Sequence, residues 1–143
     1  MTDYDLEAPL HAIRRLMLES NGLIAIAFKR TYIEHAVVNR DSDFSGREPR
    51  EISDEWMTTP WPHIESAMAY QLGLPVLILR EAGVIADGVL EKGVAGIAMP
   101  EFDLSKDPTA DFMNGVEGAA LFSKWAHQAE SVFLNKGSPG RLY

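Results

Sequence analysis

The chain has 143 residues, of which 46% are hydrophobic, and this length and composition predict a single globular domain spanning residues 1–143. Its 21 acidic and 13 basic residues give a formal net charge of -8, which argues against nucleic acid as a partner because a polyanion would be repelled. It contains no cysteine, which excludes disulfides and thiolate metal sites, and it has no apolar run near the ~20 residues that a membrane-spanning helix requires.

The chain opens with an acidic segment followed by a helix and a strand. Asp3, Asp5 and Glu7 stand where an export signal would be basic and then apolar, so we expect a cytoplasmic protein without a membrane partner. Apolar residues at helical spacing predict a first helix that starts near Pro9 and ends at Asn21-Gly22. The apolar run 23–28 then predicts a strand buried on both faces, in the centre of a parallel sheet.

Residues 29–60 interrupt this pattern with dense charged residues, Ser and Pro. A segment this long inside a small domain is typical of a functional loop, a lid or specificity loop, or of a solvated insertion. Both interpretations remain open at this point.

The second half of the chain alternates between strands and helices. A second helix is predicted over 62–72, with Gly73 at its end, and residues 75–79 predict a further buried strand. Residues 81–93 are irregular with one turn at 88–91, 94–99 predict a short edge strand, and a final helix runs from about Thr109 to Gly137. This order predicts an α/β fold, a parallel sheet of about three strands with helices on both faces.

The segment 58–76 contains Trp61, Glu65 four residues later, and then Leu72-Gly73-Leu74-Pro75-Val76. With this spacing it resembles nucleoside deoxyribosyltransferases and TIR-type NAD hydrolases. In the former a helix carries a nucleophilic Glu, small residues and then Leu-Gly-x-Pro-Val; here Glu65 is followed in the same register by Ala67, Ala69, Leu72, Gly73, Pro75 and Val76. In the latter a Trp precedes the catalytic Glu by four residues, as Trp61 precedes Glu65. The resemblance covers roughly residues 10 to 100. It implies a flavodoxin-like (Rossmann-like) fold and chemistry at an N-glycosidic bond of a nucleoside or nucleotide, such as NAD.

The placement of Glu65 also has a physical rationale. We expect it in the first turn of the second helix, where the helix dipole favours the ionised carboxylate. An ionised carboxylate can stabilise or trap the oxocarbenium character that develops on the sugar. Helix N-termini gather beyond the carboxyl ends of the strands, where ligands bind in open sheets, so we expect Glu65 to project into that crevice. A Glu in a first turn is also common as a capping or surface residue.

Further residues near this segment are candidates for substrate binding. Trp61 could stack on a base or cover the core, and Ser53 and Asp54, on the loop before the helix, could bind a sugar hydroxyl or cap a turn. His63 could act as an acid or base but points away from Glu65 on the helix. Arg30, just after the first strand, could bind a phosphate or be a solvated charge. The scattered histidines show no metal-ligand spacing, so we predict no metal and no cofactor.

The relatives carry an additional strand-helix-strand unit ahead of the segment that begins at Thr2, so the fold is expected to be N-terminally shortened. In the family that unit supplies the central first strand and part of the substrate wall. The alternative function is therefore a non-catalytic nucleotide-binding or oligomeric scaffold domain in bacterial signalling or defence. Under either function we expect a homo-oligomer, because a small sheet exposes an unpaired edge and an apolar face.

Overall fold

A computed structural model describes residues 8–43, 45–106 and 115–135. The described chain contains three α-helices, five strands and a 3-10 turn at Gly88–Leu90, in the order α1 (Pro9–Glu19), β1 (Leu23–Ala27), β2 (Thr31–Val38), β3 (Arg50–Met57), α2 (Trp61–Gln71), β4 (Val76–Arg80), β5 (Ile97–Ala98) and α3 (Val116–Asn135). Among these residues, no helix has the length and apolar character needed to cross a membrane.

Strands β1, β4 and β5 form a parallel sheet with β4 in the centre. The prediction that β1 is central is wrong, because β1 lies at the edge and the described residues supply no strand on its other side. The two strands differ in burial accordingly. Residues 76–79 of β4 are buried on both faces, whereas β1 alternates between buried alanines and partly exposed isoleucines.

Helices cover both faces of the sheet, as predicted. On one face α1 and α2 pack over β1 and β4, with Val76 and Ile78 of β4 in their core. On the other face Leu77 and Leu79 pack against α3. The sequence prediction of a mixed α/β domain around a parallel sheet is thus confirmed. The physical reason is the four-residue apolar run of β4, which needs a covering layer on each side.

Small residues line the contact between α2 and β1. The helix and the strand pack closely against each other, because four small residues at this contact are all buried: Ala25 and Ala27 of β1, and Ser66 and Ala69 of α2. Side chains of this size permit close helix-sheet packing. Ser66 is fully buried, and its hydroxyl has no hydrogen-bond partner within the described chain.

Most of the segment 29–60 forms two antiparallel strands, Thr31–Val38 and Arg50–Met57, rather than a loop, which corrects the sequence interpretation. Its strands β2 and β3 pair with Thr31 opposite Met57 and Val38 opposite Arg50. A two-stranded ribbon exposes most of its side chains, so its strands can carry many charges and lack the apolar run used to recognise a buried strand. Trp56 joins the ribbon to the domain, because its N–H donates to the Gly83 carbonyl and its carbonyl accepts from the Ile85 N–H.

The remaining boundaries agree closely with the sequence predictions. Helices α1 and α2 and strand β4 begin within one residue of the predicted positions, and the predicted turn at 88–91 is the 3-10 turn. The predicted edge strand 94–99 is reduced to the two residues of β5. The predicted start of the final helix at Thr109 and the tail 138–143 lie outside the described residues.

Candidate functional site

Glu65 lies in the second turn of α2, as the fifth residue of a helix that begins at Trp61. The expectation of a first-turn position is therefore wrong, and the first turn contains no acidic residue. The influence of a helix dipole falls off within the first turn, so it does not hold this carboxylate in its ionised form.

The Glu65 side chain lines a cleft of about 170 Å³ between α1 and α2. The other lining residues come from α1 and the segment leading into β1, and they are Ile13, Leu16, Met17, Ser20, Gly22 and Leu23. These surroundings are mainly apolar, and burial raises the pKa of the Glu65 carboxyl above its usual range. Within the described chain the carboxylate has neither a hydrogen-bond partner nor an ion-pair partner. A desolvated acid without a partner in a cleft is a typical feature of functional sites.

The cleft does not lie where the sequence placed it. Gly22 and Leu23 are at the amino end of β1, whereas the expected crevice lies beyond the carboxyl ends of the strands. The physical reason is the second-turn position of Glu65, which moves the side chain about 6 Å along the helix from the N-terminus. At that height α1 and the amino end of β1 face it.

Trp61 is the first residue of α2 and is 42% exposed. It lies four residues before Glu65, so both side chains occupy one side of the helix. Trp61 does not line the cleft around Glu65 within the described residues.

Ser53 and Asp54 belong to strand β3, and their predicted position on a loop before the helix is wrong. Ser53 is exposed and pairs across the hairpin with His35. The Asp54 carboxylate accepts a hydrogen bond from the Tyr32 hydroxyl, which raises the pKa of Tyr32. Neither residue lines the Glu65 cleft in the described part of the chain.

His63 and Arg30 also lie away from that cleft. His63 faces the segment after β4, with 3.6 Å between its Nε2 and an Asp87 carboxylate oxygen. Arg30 is exposed after the carboxyl end of β1, and its backbone N–H donates to the Met57 carbonyl at 2.9 Å. The structure therefore groups Trp61 with Glu65 on one helix face and separates the other four predicted residues from them.

A polar cluster that sequence reasoning missed joins the carboxyl ends of β1 and β4. Glu81 is buried, and its carboxylate accepts the Lys29 N–H at 2.8 Å. The Lys29 ammonium lies 3.9 Å from the other Glu81 oxygen and 5.9 Å from the centroid of the Trp56 ring. These contacts tie the two strand ends and the hairpin together, which is a structural role.

A second cavity, of about 250 Å³, lies beyond the carboxyl ends of β4 and β5. Arg80, Lys92 and Glu117 contribute its charged groups, and apolar residues such as Ile78, Leu90 and Met99 contribute its floor. The Arg80 guanidinium is already held by the Val84 carbonyl and the Glu101 carboxylate. Sequence reasoning missed this cavity, although the charged pair Arg80-Glu81 directly after a buried strand marks the end of the sheet at which ligands bind in such folds.

Comparisons with protein-family models, curated proteins and solved structures found no match to this chain. The resemblance in segment 58–76 therefore stays a prediction from the sequence. Among the described residues, no group of three or more His, Asp or Glu side chains could hold a metal ion.

Proposed function

We propose that this domain cleaves or transfers at the N-glycosidic bond of a nucleoside or nucleotide, with Glu65 as the catalytic carboxylate. The observation that carries the proposal is the desolvated Glu65 side chain, which lines a cleft and has no partner within the described chain. Burial raises the pKa of Glu65, and a more basic carboxylate is a stronger nucleophile in its ionised form.

The proposed reaction has two balanced steps. The Glu65 carboxylate attacks the anomeric carbon as the bond to the base breaks, and the base leaves with the electron pair. The base of a neutral nucleoside then takes a proton from solvent, whereas the cationic nicotinamide group of NAD leaves as neutral nicotinamide. Water then attacks the ribosyl ester and restores the carboxylate, or a second base attacks and a new nucleoside forms. Trp61, on the same side of α2, would stack on the base. We further propose that the parallel sheet and the helices on its two faces belong to a flavodoxin-like fold.

The test is a panel of deoxynucleosides and NAD, incubated with the protein and analysed for released base by mass spectrometry. Wild type should release base, and Glu65→Gln should lower the rate by at least 100-fold, because the amide cannot form the ester. Glu130→Gln is the matched control, since Glu130 is an exposed helical glutamate on α3. Undiminished base release by Glu65→Gln would reject the catalytic role.

The second candidate function is nucleotide binding without turnover, in a scaffold or signalling domain. It is favoured by the cavity at the carboxyl ends of β4 and β5, where Arg80 and Lys92 could bind an anion and the apolar floor a base. Ligand-dependent thermal stabilisation without product would support it. Arg80→Gln should then abolish the stabilisation, whereas Glu65→Gln should leave it unchanged. Both functions are proposed for a homo-oligomer, because β1 leaves an apolar sheet edge unpaired among the described strands.

A further inference from the structure

The free edge of β1 has a regular arrangement of backbone and side chains. The Leu23 N–H donates to the Pro75 carbonyl and the Ala27 carbonyl accepts from the Glu81 N–H, so odd-numbered residues bond toward β4. The N–H and C=O groups of Ile24, Ile26 and Phe28 therefore point away from the sheet, since alternate residues of a strand face opposite sides. Within the described strands, nothing pairs with this edge.

The side chains of the same residues are apolar and only partly covered. Ile24, Ile26 and Phe28 are 43%, 41% and 47% exposed. Ile24 pairs with Leu77 and Ile26 pairs with Leu79 in the β1–β4 register. The two isoleucines therefore lie on the same face of the sheet as these leucines, which is the face that α3 packs against. The apolar layer therefore continues past β4 to the edge strand, where the described helices leave these side chains partly exposed.

We propose that a second copy of this chain pairs antiparallel with β1 about a two-fold axis at Ala25, which joins two three-stranded sheets into one of six strands. In this register Ile24 faces Ile26 of the partner subunit and Phe28 faces Gly22 of the partner subunit. Each isoleucine pair exchanges two hydrogen bonds through the outward groups described above. The side chains of one face then form a continuous apolar strip across the axis.

Two features favour a second copy over another partner. The sequence Ile24-Ala25-Ile26 reads the same in both directions, so the two-fold axis matches each isoleucine with an isoleucine, as an isologous interface requires. The flanks of β1 also carry opposite charges, because exposed Glu19 precedes the strand and exposed Arg30 follows it. Antiparallel pairing sets the Arg30 end of β1 in one subunit toward the Glu19 end of β1 in its partner, whereas parallel pairing would align like charges and leave another edge open.

The area at this edge predicts a weak dimer. The three partly exposed side chains offer roughly 80–100 Å² each, so pairing buries roughly 300 Å² of apolar side-chain surface per protomer, to which the backbone edge adds. This is less than the ~800 Å² per partner that a stable complex buries, so a dissociation constant in the micromolar range is expected, on the order of 10–100 μM.

The first experiment measures association by sedimentation velocity from 1 to about 500 μM, well above and below the expected constant. Wild type should shift reversibly from monomer to dimer. Ile26→Lys should weaken the dimer at least tenfold, whereas Val94→Lys, at an exposed apolar residue in the segment before β5, should change it less than twofold. A wild-type monomer at every concentration, or a dimer that Ile26→Lys leaves intact, overturns the proposal; circular dichroism establishes that each variant is folded.

The second experiment tests the register by cross-linking, through the ratio of disulfide-formation rates measured at one protein concentration. The chain has no cysteine, so Ile24→Cys and Ile26→Cys each introduce a single thiol. Facing residues in an antiparallel pair lie about 5.5 Å apart, within disulfide range, while the diagonal pairs lie at about 7–8 Å, beyond it. A mixture of the two variants should form mixed disulfide dimers at least tenfold faster than either variant alone. Equal rates would reject the register.

Discussion

The Tyr32 hydroxyl donates a hydrogen bond to the Asp54 carboxylate across the hairpin, and Asp54 holds a left-handed backbone with φ of 56° inside strand β3. A non-glycine residue in this conformation costs about 1–2 kcal/mol, although Asp tolerates it better than most. Tyr32 also contacts the ring of Trp56, with 5.0 Å between ring centroids. Tyr32 thus connects strained Asp54, through the hydrogen bond, with Trp56, through the ring contact, and Trp56 attaches the hairpin to the domain.

The Tyr32–Asp54 pair should respond to alkaline pH. The hydrogen bond to Asp54, with smaller contributions from desolvation and from the charge of that carboxylate, raises the pKa of Tyr32. The folded state therefore retains the phenolic proton longer, so the pair stabilises the hairpin fully below the unfolded pKa of about 10 and loses this effect as pH rises through the folded pKa. Asp54→Gly, which suits the backbone, should lower the pKa of Tyr32. Ultraviolet titration against Tyr32→Phe measures it, and an unchanged titration curve would contradict the contact.

Glu65→Gln should stabilise the protein at neutral pH. Burial raises the pKa of Glu65, so the folded state binds its proton more tightly than the unfolded state does. The contribution of Glu65 to the free energy of unfolding is fully present below its unfolded-state pKa and is lost as pH rises through its folded-state pKa. At pH 7 the ionised carboxylate therefore destabilises the folded state. The melting temperature of Glu65→Gln should exceed that of wild type by about 1–3 °C at pH 7 and match it near pH 3.5. A variant that is less stable at pH 7 would indicate a partner for the carboxylate.

Ser66→Ala should also stabilise the fold. Its hydroxyl is buried without a partner in the described chain, and removing such a group recovers its desolvation penalty, about 1 kcal/mol of unfolding free energy. Ser66→Val is the informative comparison, since the added methyl groups would meet the close α2–β1 packing and cost about 1–3 kcal/mol. Urea denaturation measures both. A destabilising Ser66→Ala would show that the hydroxyl has a partner in solution, such as a bound water.

Gly96→Ala should be strongly destabilising. An added Cβ at Gly96 would lie 2.2 Å from the Val76 carbonyl oxygen, which is backbone and cannot rotate away. The start of β5 would have to move from β4, at a cost of about 2–4 kcal/mol. Gly93→Ala is the control, because Gly93 has open space around it and a φ of 86°, so only a conformational cost of about 1 kcal/mol applies. Equal losses in urea denaturation would argue against the close approach.

Among the strands, the sequence predicted β4 correctly, predicted β1 as a strand but in the wrong place in the sheet, and missed the two strands of the hairpin. β4 is apolar and buried on both faces, as its sequence suggested. In β1 small Ala25 alternates with large Ile24 and Ile26, and this alternation in size indicates which side is covered. The alanine is buried beneath a helix, whereas the two isoleucines are partly exposed on the other face. A hydrophobic–polar pattern does not distinguish the two, so β1 read as central.

The sequence predicted that Glu65 lies on the second helix, but it did not predict the cleft that surrounds this side chain. The helix that carries Glu65 follows from local signals, Pro62 near its start and Gly73 after its end. The cleft depends on how α1 packs against α2, and that contact is tertiary, with partners more than 40 residues apart such as Ile13 and Glu65. The hairpin was missed because its charges suit a ribbon with two solvated sides.

The attachment of the hairpin through Trp56 has a practical consequence for labelling. Isolated two-stranded ribbons are marginally stable, so the ribbon should exchange its amide hydrogens before the parallel sheet does. Its far end contains Gly46, whose φ is 81° and around which no atom lies within 4 Å of an added side chain. An affinity tag or fluorophore inserted after Gly46 would therefore extend from the ribbon without entering the sheet, both helix layers or the β1 edge.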